Sequence, residues 1–256
     1  MNSPHNLTKT LKYRCKMGGG MSTEDDIKKI FEDRSKDVVS HDPWRSGAEL
    51  AELTDKVEVE WIVKNAGIKT NDVVVDVGCG TGRHVMLLSE MTKAKMIIGC
   101  DFVQESIDFL NKNIEQERLE NVIGIRCNAT DFSERMERES CSLVLGIGVI
   151  QYLTTDEQLA SFSRCCSYAI KKGGSLILKH PLSFTDSYLL DYIREDMGTR
   201  YISMYYNLPE LMKFFTEDFE LMKIQRTFTE TLVPGRLADI ERDPRARQMW
   251  IHLEKK

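Results

Sequence analysis

A single doubly wound α/β domain is the fold this sequence predicts, and three observations predict it. Strand-like apolar runs alternate with stretches of helical periodicity from about residue 71 to about residue 180, the pattern of a parallel sheet with crossover helices. The run Val73-Val74-Val75-Asp76-Val77 is β-branched and closed by glycines, which suits a strand buried on both faces beneath helical layers. With 256 residues, 41% of them hydrophobic and 29% charged, the chain can bury a full core without disulfide or metal staples.

Each element follows in order. Residues 1–22 carry several bases, the run Gly18-Gly19-Gly20 and a second methionine at Met21, and read as a flexible tail or an expression leader. Helical spacing runs from Thr23 to about Val39 and from about Ser46 to Gly67, with a turn-like His41-Asp42-Pro43 between. After the first strand come a helix from about Arg83, a strand at Met96 to Cys100, a helix from Gln104 to about Arg118 and a strand at Val122 to Cys127. The second half adds a strand at Ser142 to Ile147, a helix from Asp156 to about Ile170 and a strand at Ser175 to Lys179, with Lys172-Gly173-Gly174 as the stop between them. Each parallel crossover is expected to be right-handed.

From Pro181 to Asn207 the alternation breaks into an aromatic-rich insert holding Phe184, Tyr188, Tyr192, Tyr201, Tyr205 and Tyr206. It reads as a lid or substrate wall, and its aromatics as a pocket lining, a cage for a cationic amine, or a packing stripe at helical spacing. A helix-like Pro209 to Thr216 and strand-like segments at Phe219 to Thr229 and Met249 to Leu253 close the chain.

The bulk chemistry narrows the partners. A net charge of −5, spread over interleaved acids and bases, lacks the clustered basic footprint that a phosphate backbone requires, so no nucleic-acid partner is expected. No apolar run is long enough to span a bilayer, so no membrane partner is expected either. Seven cysteines without a CxxC pair read as reduced core residues of a cytoplasmic protein. No His, Cys, Asp and Glu set has metal-ligand spacing, so no metal is expected, and His84 reads as a capping or partly exposed side chain. Nothing in the pattern sets an oligomeric state.

The sharpest local feature is Asp76-Val77-Gly78-Cys79-Gly80-Thr81-Gly82, where a buried strand turns into a helix. Glycines there let the backbone turn tightly and approach a ligand. The next strand ends in Gly99-Cys100-Asp101, and Asp101, 23 residues beyond Gly78, stands where an acid accepts hydrogen bonds from ribose hydroxyls. A dinucleotide reader needs its third glycine one place later, and position 83 is arginine.

With these motifs the chain resembles the class I S-adenosylmethionine-dependent methyltransferases, from Val74-Val75-Asp76-Val77-Gly78-Cys79-Gly80-Thr81-Gly82 through Gly99-Cys100-Asp101, Cys127-Asn128-Ala129-Thr130-Asp131-Phe132 and Leu143 to Leu153, to Lys171-Lys172-Gly173-Gly174. The resemblance covers roughly Asn71 to Lys179. It implies a Rossmann-like sheet of seven strands with an antiparallel edge and helices on both faces, divided into N-terminal helices (23–70), a cofactor-binding core (71–180), the lid-like insert (181–207) and the rest of the sheet (208–256). It also implies that Asp76, Gly78, Cys79, Gly80, Thr81 and Gly82 hold the methionine part of the cofactor, while Asp101 takes the ribose. Phe102 would flank the adenine, Asn128 and Ala129 would read its edge, and Gly146 would meet the sulfonium region. Arg45 is a further candidate, as a clamp on the cofactor carboxylate.

Methyl transfer from a sulfonium is an in-line displacement, so alignment at about 3–3.5 Å supplies much of the catalysis and no catalytic residue is obligatory. If the acceptor must lose a proton, Tyr152 and His180 are the candidate bases, with His180 otherwise a loop histidine at a strand end. Gln151, Tyr152, Tyr192 and Tyr201 are the candidate substrate contacts. The expected activity is methylation of a nitrogen or oxygen of a small-molecule metabolite. The alternatives are a peptide or protein N-terminal methyltransferase, partly similar through Val149-Ile150-Gln151-Tyr152-Leu153-Thr154, a NAD-dependent dehydrogenase, and a non-catalytic cofactor-binding subunit.

Overall fold

The computed structural model describes residues 24–38, 48–194, 199–227 and 243–256. The expected tail at 1–22, the turn at His41-Asp42-Pro43 and the clamp candidate Arg45 lie outside the described residues. Two helices, α1 (Glu24–Val38) and α2 (Ala48–Ala66), precede the alternating core. It runs β1 (Val73–Val77), α3 (Arg83–Met91), β2 (Met96–Asp101), α4 (Gln104–Glu117), β3 (Val122–Arg126), β4 (Cys141–Ile147), α5 (Asp156–Ala169) and β5 (Ile170–Ser183). Then come β6 (Tyr188–Arg194), β7 (Thr199–Tyr205), the short α6 (Leu208–Met212), β8 (Phe219–Arg226) and β9 (Ala246–Lys255).

The main sheet has seven strands in the order β3-β2-β1-β4-β5-β9-β8, parallel up to β5 and antiparallel where β9 pairs with β5 and β8. The order reverses between β1 and β4, the switch point at which a doubly wound sheet opens a crevice beyond its carboxyl ends. The doubly wound reading, seven strands and antiparallel edge all match the expected architecture.

Residues that alternate along each strand divide between two cores, because neighbouring side chains point to opposite faces. Val74, Ile97, Leu143, Leu145 and Ile177 meet α2, α3 and α4 on one face. Val75, Ile98, Val144, Leu176 and Leu178 meet α5, with Phe162, and Phe215 on the other. Both faces of these strands are buried, which explains why they read as unbroken apolar runs. Trp61 of α2 stacks on Trp250 of β9 with centroids 4.8 Å apart, tying α2 to the antiparallel edge. Helix α5 starts at a capping box, where Thr155 Oγ1 accepts the Gln158 N–H at 3.2 Å and Gln158 Oε1 accepts the Thr155 N–H at 3.3 Å.

Two expectations need correction. Strand β5 is far longer than Ser175 to Lys179: it starts directly after α5 and continues through Gly173, which at φ 72 takes a conformation other residues resist, to Ser183. The insert is a separate antiparallel hairpin of β6 and β7, not a helical stripe. Its tyrosines meet as cross-strand pairs, Tyr188 with Tyr205 and Tyr192 with Tyr201, each with centroids 5.3 Å apart. Among the described residues no helix is long and apolar enough to cross a membrane.

Candidate functional site

The glycine loop is welded to the end of β2. Gly78 and Cys79 both donate backbone N–H groups to Cys100 O, at 2.7 and 2.9 Å, and Gly80 N–H reaches Asp101 Oδ2 at 2.9 Å. The other oxygen of Asp101 accepts the Val103 N–H at 2.9 Å, at the entrance to α4. Burial raises the Asp101 carboxyl above its usual range, while these backbone donors pull the other way. The loop glycines are required by geometry. A Cβ on Gly78, at φ 72, would fall 2.4 Å from Val149 Cγ2, and one on Gly82, at φ 84, would fall 2.3 Å from Leu110 Cδ1. Gly82 therefore serves the packing of loop against α4, whereas Gly80, at φ 54, faces open space.

Beneath the loop, Asp76 is buried and neither carboxylate oxygen has a hydrogen-bond partner. Burial pushes its carboxyl up to about 6, helped by the charge of Asp101 and opposed by His84 and Arg83. A buried carboxylate left unpaired costs free energy unless a ligand cation or donor meets it, so this position is suited to an ammonium group. That is the end of the amino-acid portion of S-adenosylmethionine that the resemblance places here, and the residues present fit it.

Next to Asp76 lies a charge network that sequence spacing did not reveal. His84 Nε2 sits 3.1 Å from Glu58 Oε2, Lys179 Nζ bonds the other oxygen of Glu58, and Arg83 pairs with Asp55 at 3.0 Å. Burial alone would raise Glu58, yet Lys179 and His84 hold it down at about 2. His84 is thus a buried network member and not a partly exposed cap. Asp55, Glu58 and His84 bring potential ligand atoms within 4.8 Å of one another, but Lys179 and Arg83 already neutralise their carboxylates.

At the carboxyl ends of the strands opens a cleft of ≈ 690 Å³, part of it open to solvent. Gly78 and Asp101 form one wall, Phe102, Asn128 and Ala129 another, and Gly148, Val149 and Tyr152 the end toward β4. Helix α1 roofs it through Ile27, Lys28 and Phe31, the last standing edge-on to Tyr152 at 4.7 Å and to Phe102 at 5.9 Å. Asn128 Oδ1 accepts the Thr130 N–H at 3.3 Å, which fixes the amide at the cleft wall.

Of the other residues singled out in the sequence, Cys79 turns its Sγ toward Gly99, inside the sheet's helical face, and Thr81 is half-buried on the loop. Gly146 does not face the cleft. It lies inside β4, where an added Cβ would fall 2.9 Å from Leu178 and 3.2 Å from Phe162, and the glycine at the cleft wall is Gly148, at φ 70. Gln151 is buried behind the wall that Tyr152 forms. His180 is a wholly buried residue of β5, not a loop histidine, and its Nε2 accepts the Tyr206 backbone N–H at 3.3 Å. Burial pushes its imidazole down to about 3, so it stays neutral. Tyr192 and Tyr201 stand on the hairpin, with Tyr201 buried beside Ser203 and Tyr152. Sequence reasoning missed Ile27, Lys28 and Phe31, whose only signal is the amphipathic spacing of α1, and Gly148, two residues beyond the glycine it chose.

Comparison with known proteins agrees with this geometry. A family model described as "Methyltransferase domain" matches residues 74–174. The ribosomal RNA small subunit methyltransferase G of Lachnoclostridium phytofermentans is 26% identical over 143 residues, which cover 52% of this chain and 56% of that protein. The chain thus spans little more than half the length of that curated relative. Among solved structures, the Burkholderia thailandensis 1,6-didemethyltoxoflavin-N1-methyltransferase, bound to 1,6-didemethyltoxoflavin and S-adenosylhomocysteine, superposes with a TM-score of 0.67 at 14% identity, covering 93% of each chain. The geranyl diphosphate C-methyltransferase of Streptomyces coelicolor A3(2) superposes with a TM-score of 0.63 at 15% identity, covering 84% of this chain and 86% of that one. Residues 74–174, the stretch that holds the glycine loop and Asp101, thus match the methyltransferase-domain family model, and the seven-strand sheet has the fold of these solved methyltransferases.

Proposed function

We propose that the chain binds S-adenosylmethionine in the cleft under α1 and transfers its methyl group to a nitrogen or oxygen of a small-molecule acceptor. The observation that carries this reading is the convergence of Gly78, Asp101, Phe102, Asn128 and Ala129 on one cleft, beside the unpaired carboxylate of Asp76. Asp76 would meet the cofactor's ammonium group, Asp101 its ribose hydroxyls, and the Asn128 amide with the Ala129 backbone its adenine edge, between Phe102 and Phe31. The group supplies an activated methyl on sulfur, and the chain's own part is to hold donor and acceptor in line and keep water out.

No side chain at the cleft end is placed as a strong base. The lone pair of His180 Nε2 is taken by the Tyr206 N–H, which leaves Tyr152, on the cleft wall, as the candidate for proton removal. A small acceptor is favoured by the roofed cleft and by the net charge of −5, which repels an RNA backbone. Reduced thiols at Cys79, Cys100, Cys127, Cys141, Cys165 and Cys166 suit a cytoplasmic setting.

The test is calorimetric titration with S-adenosylmethionine, S-adenosylhomocysteine and NAD in one buffer, followed by methylation assays on amines, hydroxy acids, lactams and short RNAs. Micromolar binding of both adenosyl ligands with turnover of a small molecule supports the reading. Binding of NAD alone, or methylation of RNA alone, overturns it.

A further inference from the structure

Behind the acceptor end of the cleft, three elements close on one another: the turn at Ile150–Tyr152, the last part of β5, and β7. Tyr206 stitches them, donating its backbone N–H to His180 Nε2 at 3.3 Å and its hydroxyl to Leu153 O at 2.7 Å. Three side-chain polar atoms on these elements have no partner, His180 Nδ1, Gln151 Oε1 and, on β7, Ser203 Oγ, although His180 and Ser203 are 0% exposed and Gln151 6%. Buried polar atoms are nearly always paired, so orphans contributed by packed neighbouring elements call for a ligand.

Their chemistry is complementary. His180 Nε2 accepts a backbone N–H, so the proton of the neutral ring sits on Nδ1, which makes Nδ1 a donor. Gln151 Oε1 is an acceptor. The nearby charges are already committed: Lys179 to Glu58, and Arg245 to Asp243 at 2.8 Å with its guanidinium 4.0 Å from the Tyr188 ring. The place where the hairpin could form a cage for a cation is thus occupied by the protein's own arginine, and the orphaned atoms are themselves uncharged, which suits a neutral ligand.

Resting on the methyl-transfer reading, we infer that His180 and Gln151 form the specificity subsite for the methyl acceptor, taking an uncharged edge that pairs a carbonyl oxygen with an adjacent N–H, as in a lactam or a carboxamide. The carbonyl would accept from His180 Nδ1 and the N–H would donate to Gln151 Oε1. A site built to pair such an edge rejects analogues that lack it, because its own buried groups would then stay unpaired.

The experiment uses the full chain saturated with S-adenosylhomocysteine and titrates 2-pyridone and benzamide against benzoate and benzylamine. The two neutral amides are expected to bind at least tenfold more tightly than the charged pair, and His180→Phe and Gln151→Leu are each expected to lose that preference while retaining S-adenosylhomocysteine affinity. Gln151→Leu removes an unpaired buried oxygen, so its Tm without ligand is expected to hold or rise, whereas His180→Phe also takes away the acceptor of the buried Tyr206 N–H and is expected to lower Tm. Ring ¹⁵N spectra of the unmodified protein provide a readout that does not depend on how the variants fold: the His180 Nδ1–H signal should shift on adding 2-pyridone. Equal binding of the charged analogues, or an unmoved ring signal at saturating amide, overturns the subsite. Failure of S-adenosylhomocysteine to bind overturns the methyl-transfer reading instead.

Discussion

Gly80 and Asp101 are joined at 2.9 Å, backbone N–H to carboxylate, so the loop after β1 and the acid ending β2 form one rigid piece. Asp101→Ala would free the Gly80 and Val103 donors together and slacken both sides of the cleft. The expected result is at least a tenfold loss of S-adenosylhomocysteine affinity, with Asp101→Asn intermediate because its amide oxygen retains one acceptor. Calorimetry on the three proteins checks the order.

Asp76 should show its cost in the free protein. Its carboxyl, pushed up to about 6 from 3.8, binds more protons folded than unfolded between those values, so stability falls as pH rises through that window. Asp76→Asn is expected to raise Tm at pH 8 by relieving about 3 kcal/mol, with little effect at pH 4, and to weaken adenosyl ligands at least tenfold. In the unmodified protein, S-adenosylhomocysteine affinity should decline below about pH 6. Melting curves and titrations at pH 5 and 8 settle both points.

His180 has the opposite slope. Its imidazole, lowered to about 3 from 6.5, binds fewer protons folded than unfolded, so stability falls as pH drops through that range, by about 5 kcal/mol in full. His180→Phe should flatten the acid limb of the stability curve. A limb that remains equally steep in urea titrations from pH 7 to pH 4 would assign the acid loss to other groups.

Gly82 and Gly80 should separate in their effects. Gly82→Ala drives a methyl into Leu110 at a left-handed backbone and should cost at least about 2 kcal/mol in urea unfolding. Gly80→Ala meets open space, so it should cost only about 1 kcal/mol of backbone strain while sharply reducing adenosyl binding.

Removing one member of the buried charge network isolates the others. Glu58→Gln leaves Lys179 facing a neutral amide and should cost about 3–5 kcal/mol, and adding Lys179→Met should recover part of it. A double-mutant cycle by denaturant titration measures that recovery.

The glycine loop, Asp101 and the alternation of the core were legible because each is a local pattern: a strand, a turn and a helix start within a dozen residues. The hairpin was not, for a geometrical reason. Tyr188 and Tyr192, like Tyr201 and Tyr205, are four apart, a spacing that shares a face in a helix and equally in a strand. The roles of His84 and His180 were hidden because their partners, Glu58 and Tyr206, come from distant elements, and burial by a distant element leaves no mark on neighbouring sequence. Gly146 was preferred to Gly148 because both are glycines near a strand end, and only the three-dimensional position of Phe162 shows which one faces inward.

Strand β9 lies between β5 and β8 although it follows both in the chain. During synthesis β8 therefore leaves the ribosome with neither long edge paired, and its Leu221 and Met222, exposed even in the finished fold, have no strand beside them until residues 246–255 arrive. The parallel half can collapse around β1 and β4 well before then, so the vulnerable moment in biogenesis is the wait for β9. Charged Glu220, Lys223 and Arg226 on β8 act as gatekeepers against wrong strand partners through that interval.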